Sequence, residues 1–355
     1  MSRRSTTLLK GLLSALHFSG ADRLVAPLTR GVGAIFTLHH VHAEPPAAFE
    51  PNRILRVTPQ FLELAIAQIC DSGFEIVSLD EAHFRLLEGD CRPFACLTFD
   101  DGYRDNLEVA YPIFKRHNLP FAVYICTDFA DGRGDLWWLA LEKAIGRADS
   151  LCLRIDGSER RWRTTNVAEK DAAFHAIYWR LRSIKEDHAR ALVAELCQAT
   201  GFDPSGLCAA LVMTWDEIRR LAADPLVTIG AHTRRHFALA KLTLPEARDE
   251  IAQSLVRIER ELGAPCRHLS YPYGDERSAG EREFQLASEL AMRTGVTTRK
   301  GLIQRRHASA LTALPRVSLN GDYQHPRYVK VFLNGAPFAF ATRRQRPADQ
   351  PAPFH

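Results

Sequence analysis

The run FACLTFDDG, residues 94–102, decides how the rest of the chain is interpreted. Its first six residues are mostly apolar and end at a turn signal, which is the pattern of a short buried strand. Asp100 and Asp101 therefore project from the carboxyl end of this strand, where α/β sheets and barrels usually carry their catalytic groups. Two adjacent carboxylates repel each other unless a cation lies beside them. The run thus predicts a cation site at a strand end.

A second signal is the pair His232-x-x-x-His236, which follows another strand-like run. A divalent metal held by one carboxylate and two imidazoles would relieve the repulsion between Asp100 and Asp101. It would also leave the other carboxylate free to act as a base. Either motif alone is weak evidence for a metal site, because Asp-Gly is a common turn and histidine pairs on a helix face are often merely solvated.

Strand-like and helix-like runs alternate along the chain, which favours repeated β/α units and a parallel sheet or barrel. Thr58 before Pro59 and the capping box at Thr243 mark two helix starts. The alternation breaks between residues 128 and 213, where a hairpin signal at Asp156-Gly157 precedes a long helical segment from Val167 to Ala199. The strand-like runs are Ala34–Leu38, Phe74–Leu79, Phe94–Phe99, Phe121–Cys126, Leu226–Gly230, Leu269–Tyr271, Val296–Thr298 and Val317–Leu319.

These patterns predict an α/β protein with one interrupted barrel. The predicted parts are an N-terminal helical extension (1–32), the first part of the barrel (33–127), a mostly helical insertion (128–213), the second part of the barrel (214–340) and a Pro-rich, disordered tail (341–355). We expect the insertion to pack over or beside the barrel.

The composition sets limits on the class of protein. A net charge of +4 over 355 residues is small and predicts no nucleic-acid partner. The eight cysteines show no C-x-x-C spacing, which favours reduced thiols and a cytoplasmic location. The apolar N-terminal run is interrupted by Lys10, so it predicts neither a signal peptide nor a transmembrane segment. We favour an amphipathic helix covering one end of the domain over a helix lying on the inner membrane face.

Three motifs occur in order: TFDDGY (98–103), GAHTRRH (230–236) and YPYG (271–274). Together they resemble the polysaccharide deacetylase family, also called the NodB-homology or carbohydrate esterase family 4 enzymes. The resemblance extends over about residues 33–320, apart from the insertion. It implies a distorted (β/α) barrel that removes N-acetyl groups from amino-sugar polymers with a divalent metal, usually zinc.

The resemblance also implies roles for individual residues. The metal-ligand positions are Asp101, His232 and His236, and Asp100 has the position of the catalytic base. Tyr273 lies where the family uses a backbone N–H to hold the oxyanion. The chemistry agrees, because amide hydrolysis needs an activated water, a base and a stabilised oxyanion. Two nitrogen ligands and one oxygen ligand suit zinc without excluding cobalt or iron.

Two family features are absent. Many members carry an arginine before the third motif to orient the base, but here the stretch is LSYP, residues 269–272. Arg316 is our candidate replacement, and a surface arginine paired with an acid is the alternative. Many members also have a Leu-x-His motif that supplies the general acid, which we do not find. His39, at the end of the first strand, is the best substitute, with a purely structural histidine as the alternative.

We therefore predict a metal-dependent N-deacetylase acting on an N-acetylhexosamine-containing glycan, with a chitooligosaccharide as the leading substrate. An amidase for a non-sugar amide and a catalytically weak glycan-binding protein are the alternatives. The pair Trp137-Trp138 could stack on sugar rings, but core packing of the insertion is favoured. The sequence identifies no protein partner.

Overall fold

Short apolar runs form the strands of this computed structural model, which describes residues 3–155 and 157–339. The tail predicted for 341–355 lies outside the described residues. The strands are β1 (Gly33–Leu38), β2 (His40–Val41), β3 (Arg56–Val57), β4 (Glu75–Ile76), β5 (Phe94–Phe99), β6 (Phe121–Ile125), β7 (Ser150–Ile155), β8 (Ser158–Arg163), β9 (Val227–Ala231), β10 (His268–Ser270), β11 (Thr294–Lys300) and β12 (Leu314–Ser318).

Helices connect most of these strands. They are α1 (Arg3–Ser19), α2 (Ala21–Thr29), α3 (Pro59–Asp71), α4 (Leu79–Glu88), α5 (Tyr111–Arg116), α6 (Thr127–Ala130), α7 (Trp137–Arg147), α8 (Val167–Leu181), α9 (Glu186–Ala199), α10 (Leu207–Leu211), α11 (Trp215–Ala222), α12 (Leu244–Leu262), α13 (Glu281–Glu289) and α14 (Pro326–Leu333).

Seven parallel strands close into a barrel in the order β1-β12-β11-β10-β9-β6-β5, and β5 pairs again with β1. β4 pairs with β5 outside this ring. The closing pair β1–β5 is in register along its whole length, with Gly33 opposite Phe94 and Leu38 opposite Phe99. The predicted α/β fold and distorted barrel are confirmed, with one strand fewer than the regular eight-stranded barrel.

Alternate residues of the barrel strands belong to two separate apolar clusters. Every residue of β1, β5 and β6 is buried, as expected for parallel strands covered on both faces. Ile35, Cys96 and Tyr124 belong to one cluster, while Phe36 and Leu97 belong to the larger cluster that includes the surrounding helices. This double burial explains why the strands appear in the sequence as continuous apolar runs.

Local signals succeeded at helix starts and failed at two element boundaries. Thr58 caps α3 by accepting a hydrogen bond from the backbone N–H of Phe61, and Thr243 forms the predicted capping box of α12. The strand predicted for 74–79 is wrong beyond Ile76, because the Ser78 hydroxyl caps α4. The helical segment predicted for 167–199 is helical, but the boundary between its two helices, α8 and α9, was not predicted; both helices pack against α7.

The segment predicted as an insertion has an apolar cluster of its own. Its hairpin β7–β8 is antiparallel and turns at Gly157, whose φ of 75° is in the left-handed region. Trp137 and Trp138 are 2% and 5% exposed and belong to this cluster. Their rings therefore pack in the core of the segment and do not form an exposed platform for sugar rings. The cluster also includes Tyr103 and Cys126 of the barrel, which ties the segment to the barrel.

The first two helices pack on the barrel from outside. Leu13 of α1 is buried in the main cluster, and Asp22 of α2 accepts a hydrogen bond from Asn334 at 2.7 Å. None of the helices in the described ranges has the length and apolar character needed to cross a membrane.

Candidate active site

The carboxyl ends of the barrel strands bring the predicted site residues together. Asp100 and Asp101 follow β5, His232 follows β9, and Tyr273 comes shortly after β10. Parallel strands in a closed ring end at the same rim, so residues far apart in sequence become neighbours. One cavity of about 980 Å³ is lined by six of the seven predicted residues: His39, Asp100, Asp101, His232, His236 and Tyr273. The seventh, Arg316 of β12, is buried behind Asp100.

Left-handed backbone conformations are concentrated at this rim. Six non-glycine residues in the described ranges have positive φ, and four of them lie here: Asp101 (73°), Thr233 (62°), His236 (60°) and Tyr273 (62°). Each such conformation costs about 1–3 kcal/mol, and such conformations tend to cluster at functional sites. We infer that the surrounding barrel stabilises turns that aim the side chains of Asp101, His236 and Tyr273 into the cavity.

Two imidazole nitrogens converge on one oxygen of Asp101. The Oδ1 atom lies 3.2 Å from Nε2 of His236 and 3.5 Å from Nε2 of His232. The Nδ1–H of His232 donates a hydrogen bond to the carbonyl oxygen of Ser270 at 2.7 Å. With the hydrogen on Nδ1, the lone pair of Nε2 faces Asp101, which is the arrangement seen in metal-binding histidines.

The same three residues fit a divalent cation. Although Oδ1 of Asp101 is buried close to two nitrogens, it forms no hydrogen bond of acceptable geometry within the described chain. One ligand atom from each of Asp101, His232 and His236 lies within 4.8 Å of the others. Burial favours the neutral carboxyl, but the two imidazoles beside it hold the pKa of Asp101 well below its usual value. An ionised carboxylate and two imidazoles are a donor set that zinc accepts.

Asp100 points instead to Arg316. The guanidinium donates two parallel hydrogen bonds to the Asp100 carboxylate, at 2.8 Å and 2.7 Å, and neither side chain is more than 4% exposed. The remaining donors of Arg316 reach Thr98, Ser270 and the carbonyl oxygen of Thr297. Burial acts to raise the pKa of Asp100, but Arg316 and His232 outweigh it and lower that pKa to about 2. Asp100 is therefore ionised and oriented at neutral pH.

Replacing Arg316 with glutamine is expected to lower the free energy of unfolding by about 3–5 kcal/mol, because the buried Asp100 carboxylate loses its partner. The measurement is urea unfolding of the single variants and of the double variant Asp100→Asn/Arg316→Gln. The double variant should recover part of the loss, since no unpaired charge remains. A single-variant change below about 1 kcal/mol, the range of exposed ion pairs, would contradict this assignment.

His39 lies at the rim of the cavity beside the two aspartates. Burial lowers the pKa of His39, and the carboxylates of Asp101 and Asp100 only partly oppose this shift. His39 is therefore neutral near pH 7 in the unliganded protein.

Tyr273 is held from three sides. Its hydroxyl accepts a hydrogen bond from Trp137 Nε1 at 2.8 Å, and the guanidinium of Arg182 lies 3.4 Å from its ring centre. Its ring is 4.8 Å from that of His236, in an edge-on contact. The backbone N–H of Tyr273 donates to no other residue in the described ranges, so it is available to a ligand.

Three residues of the site were not predicted from the sequence. Ser270 positions His232 and Arg316, and it could have been found because it ends a strand just before the YPYG motif. Trp138 lies 5.0 Å from the His236 ring, and Arg182 covers Tyr273. Both come from the segment predicted as an insertion. The sequence singled out Trp138 only as part of the Trp137-Trp138 pair, for which core packing was favoured, and no local pattern marks Arg182.

This chain is similar in sequence to known polysaccharide deacetylases over part of its length. A family model described as "Polysaccharide deacetylase" matches residues 156–295, a range that contains the histidine pair and Tyr273 but not Asp100 and Asp101. "Putative polysaccharide deacetylase YxkH" of Bacillus subtilis (strain 168) is 30% identical over 73 residues, which is 20% of this chain and 26% of that protein. The match thus spans about a quarter of the curated relative.

Solved structures agree over a longer range. The Streptococcus pyogenes deacetylase PplD in complex with acetate shares 16% identity and a TM-score of 0.56, covering 84% of this chain and 97% of that one. IcaB from Ammonifex degensii shares 14% identity and a TM-score of 0.53, covering 86% of this chain and 98% of that one. At these identities the two structures establish the fold.

The fold and its relatives confirm the resemblance on which the sequence prediction depended. Over residues 156–295 the chain is similar to the polysaccharide deacetylase family, and its closed parallel barrel is similar to the barrels of the two deacetylase structures.

Proposed function

We propose that this protein is a metal-dependent N-deacetylase acting on an N-acetylhexosamine-containing glycan. The observation that carries the proposal is the convergence of Asp101, His232 and His236 beside an ionised Asp100 paired with Arg316. Zn²⁺ is the favoured cation, and a chitooligosaccharide is the leading substrate. A cytoplasmic location, consistent with the eight unpaired cysteines, belongs to the same proposal.

A divalent cation held by Asp101, His232 and His236 would supply Lewis-acid activation of water and of the amide carbonyl. Asp100, ionised and fixed by Arg316, takes the proton of the attacking water at a carboxylate oxygen. The backbone N–H of Tyr273 donates to the developing oxyanion, a contribution of about 3 kcal/mol where such donors have been removed in other enzymes. His39, neutral at the start, accepts the proton that Asp100 took from the water and donates it to the leaving nitrogen as the C–N bond breaks, which returns both residues to their starting states.

The aromatic wall of the cavity suits an oligosaccharide. Trp179 of α8 lines the cavity and is 54% exposed, while its neighbour Tyr178 supports the wall from the interior. Pyranose rings present an apolar face that packs on an aromatic ring. Trp179, rather than the buried Trp137-Trp138 pair, is therefore our candidate for stacking on a sugar ring.

The reaction is tested by acetate release from N-acetylglucosamine oligomers, with the metal content of the purified protein measured in parallel. Removal of the cation by a chelator should abolish release, and Zn²⁺ should restore it. A metal-loaded protein that binds the oligomers without releasing acetate would instead support the glycan-binding alternative. Hydrolysis of simple acyl amides in preference to the oligomers would support the amidase.

Replacing Trp179 with alanine is expected to raise KM for long oligomers about fivefold, because one aromatic stack is worth about 1 kcal/mol. KM for the shortest cleaved substrate and kcat should change little. The measurement is the ratio of KM values across oligomer lengths, with Trp162→Ala as the control, since Trp162 does not line the cavity. Equal effects of the two variants would remove Trp179 from the substrate site.

Replacing His39 with glutamine is expected to lower kcat by about 10²-fold, because the leaving amine loses its proton donor. Metal content should be unchanged, since His39 is not among the proposed ligands. His42→Gln is the control, because His42 is exposed and hydrogen-bonded to Arg56. A His39→Gln variant with the wild-type kcat would mean that another group is the acid.

A further inference from the structure

The outer face of α1 and α2 is apolar and exposed. In the described ranges, six of the thirteen large apolar side chains that are exposed lie between residues 8 and 28. They are Leu8 (76%), Leu12 (58%), Phe18 (75%), Leu24 (82%), Val25 (39%) and Leu28 (89%). Exposed apolar residues scattered singly need no explanation, but a concentrated group marks an interaction surface. We call these six residues the apolar face.

The helices that carry this face are docked on the barrel. Leu13 on the opposite side of α1 is 1% exposed, and α1 packs on α14. On α2 the fully buried Asp22 is hydrogen-bonded to Asn334. The exposed leucines therefore lie on the outer side of two helices whose inner side already packs against the rest of the protein.

The charges of the same segment have one sign. The sequence from residue 3 to residue 30 contains five basic residues (Arg3, Arg4, Lys10, Arg23 and Arg30) and one acidic residue, Asp22. Because Asp22 is buried, no carboxylate of this segment reaches solvent. An apolar helix face in a segment of net positive charge is the composition that binds the interface of an anionic bilayer.

We propose that α1 and α2 bind an anionic membrane surface through the apolar face. The leucine, valine and phenylalanine side chains enter the boundary between headgroups and acyl chains, and the exposed Arg23 contacts the anionic headgroups, whereas Arg30 is held by Ser72 and Phe74. Thr6, Thr7 and Lys10 of α1 line the cavity described above. Attachment therefore holds the cavity next to the bilayer, within reach of glycans presented at that surface.

The test is sedimentation of the full-length protein with vesicles of phosphatidylcholine, with and without phosphatidylglycerol. The wild type should sediment with the anionic vesicles, and more salt should weaken binding. The double variant Leu12→Glu/Leu28→Glu should lower the partition coefficient about a hundredfold, because each buried leucine contributes about tenfold or more. Val256→Glu is the matched control, since Val256 is 66% exposed on α12.

Three outcomes would overturn the proposal. The first is a wild type that stays in the supernatant with anionic vesicles. The second is equal binding by the wild type and the double variant. The third is a dimer, detected by light scattering, that the double variant dissociates while neither protein binds vesicles, since the apolar face would then bind a second copy. Acetate release from soluble oligomers should be the same in the double variant and the wild type, so this test is independent of the proposed activity.

Discussion

Replacing Asp100 with asparagine is expected to lower the rate of acetate release by about 10³-fold, within the usual range for a general base. The amide is nearly the same size as the carboxylate but cannot take a proton from water. The proposed cation ligands are unchanged, so the variant should retain its metal. The measurements are kcat for acetate release and the metal content of the same preparation.

The control is Asp105→Asn, the same chemical change a few residues further along. Asp105 pairs with His40 at 2.7 Å and is not among the proposed ligands. Its variant should keep kcat within a few-fold. Because Asp100→Asn leaves Arg316 without its charged partner, thermal unfolding is needed to show that the protein is folded at the assay temperature. Wild-type turnover by Asp100→Asn would show that Asp100 is not the base.

Replacing His232 with glutamine is expected to lower both metal affinity and activity. Loss of a partner that only orients a ligand commonly costs 10- to 100-fold in affinity, so loss of the ligand itself should cost more than about a hundredfold. Elemental analysis after dialysis measures the metal, and acetate release measures the activity. Zn²⁺ in excess should restore little of the activity.

The matched control is His268→Gln, because His268 is another buried histidine of the barrel. It is 2% exposed and contacts Thr294 and Asp80, away from the carboxylate pair. Its variant should be less stable than the wild type but should bind metal normally. Full metal occupancy in His232→Gln, with loss of metal in His268→Gln, would place the metal elsewhere and remove the basis of the proposed hydrolase.

The sequence predicted the barrel because the pattern was local. A strand buried on both faces must be a short apolar run, and the turn that follows must carry polar residues, as FACLTFDDG does. The break between α8 and α9 was missed although Glu186 and Asp187 give α9 the acidic first turn that is typical of a helix start. Where contacts between distant segments decide the outcome, local signals were not sufficient.

Arg316 illustrates the limit most clearly. From the sequence, Arg316 was either a surface residue paired with an acid or a buried partner of the catalytic base. Its position in a late strand favoured neither of these two arrangements. Ring closure puts β12 and β5 on the two edges of β1, so Arg316 and Asp100 meet inside the barrel although 215 residues lie between them. Its five donors are then satisfied in the interior, which a surface arginine would not require.

By itself, the sequence determined which residues follow the carboxyl end of each strand. It therefore determined which carboxylates and imidazoles could lie together at the same end of the barrel. Only the tertiary structure decided that Arg316 is buried against Asp100 and that Trp138 and Arg182 enclose His236 and Tyr273. It also decided that some leucines of α1 and α2 face outward while Leu13 is buried. The physical reason is that a strand and the turn after it are specified by residues that are neighbours in the sequence. Burial and charge pairing depend instead on which distant segments the closed barrel brings into contact.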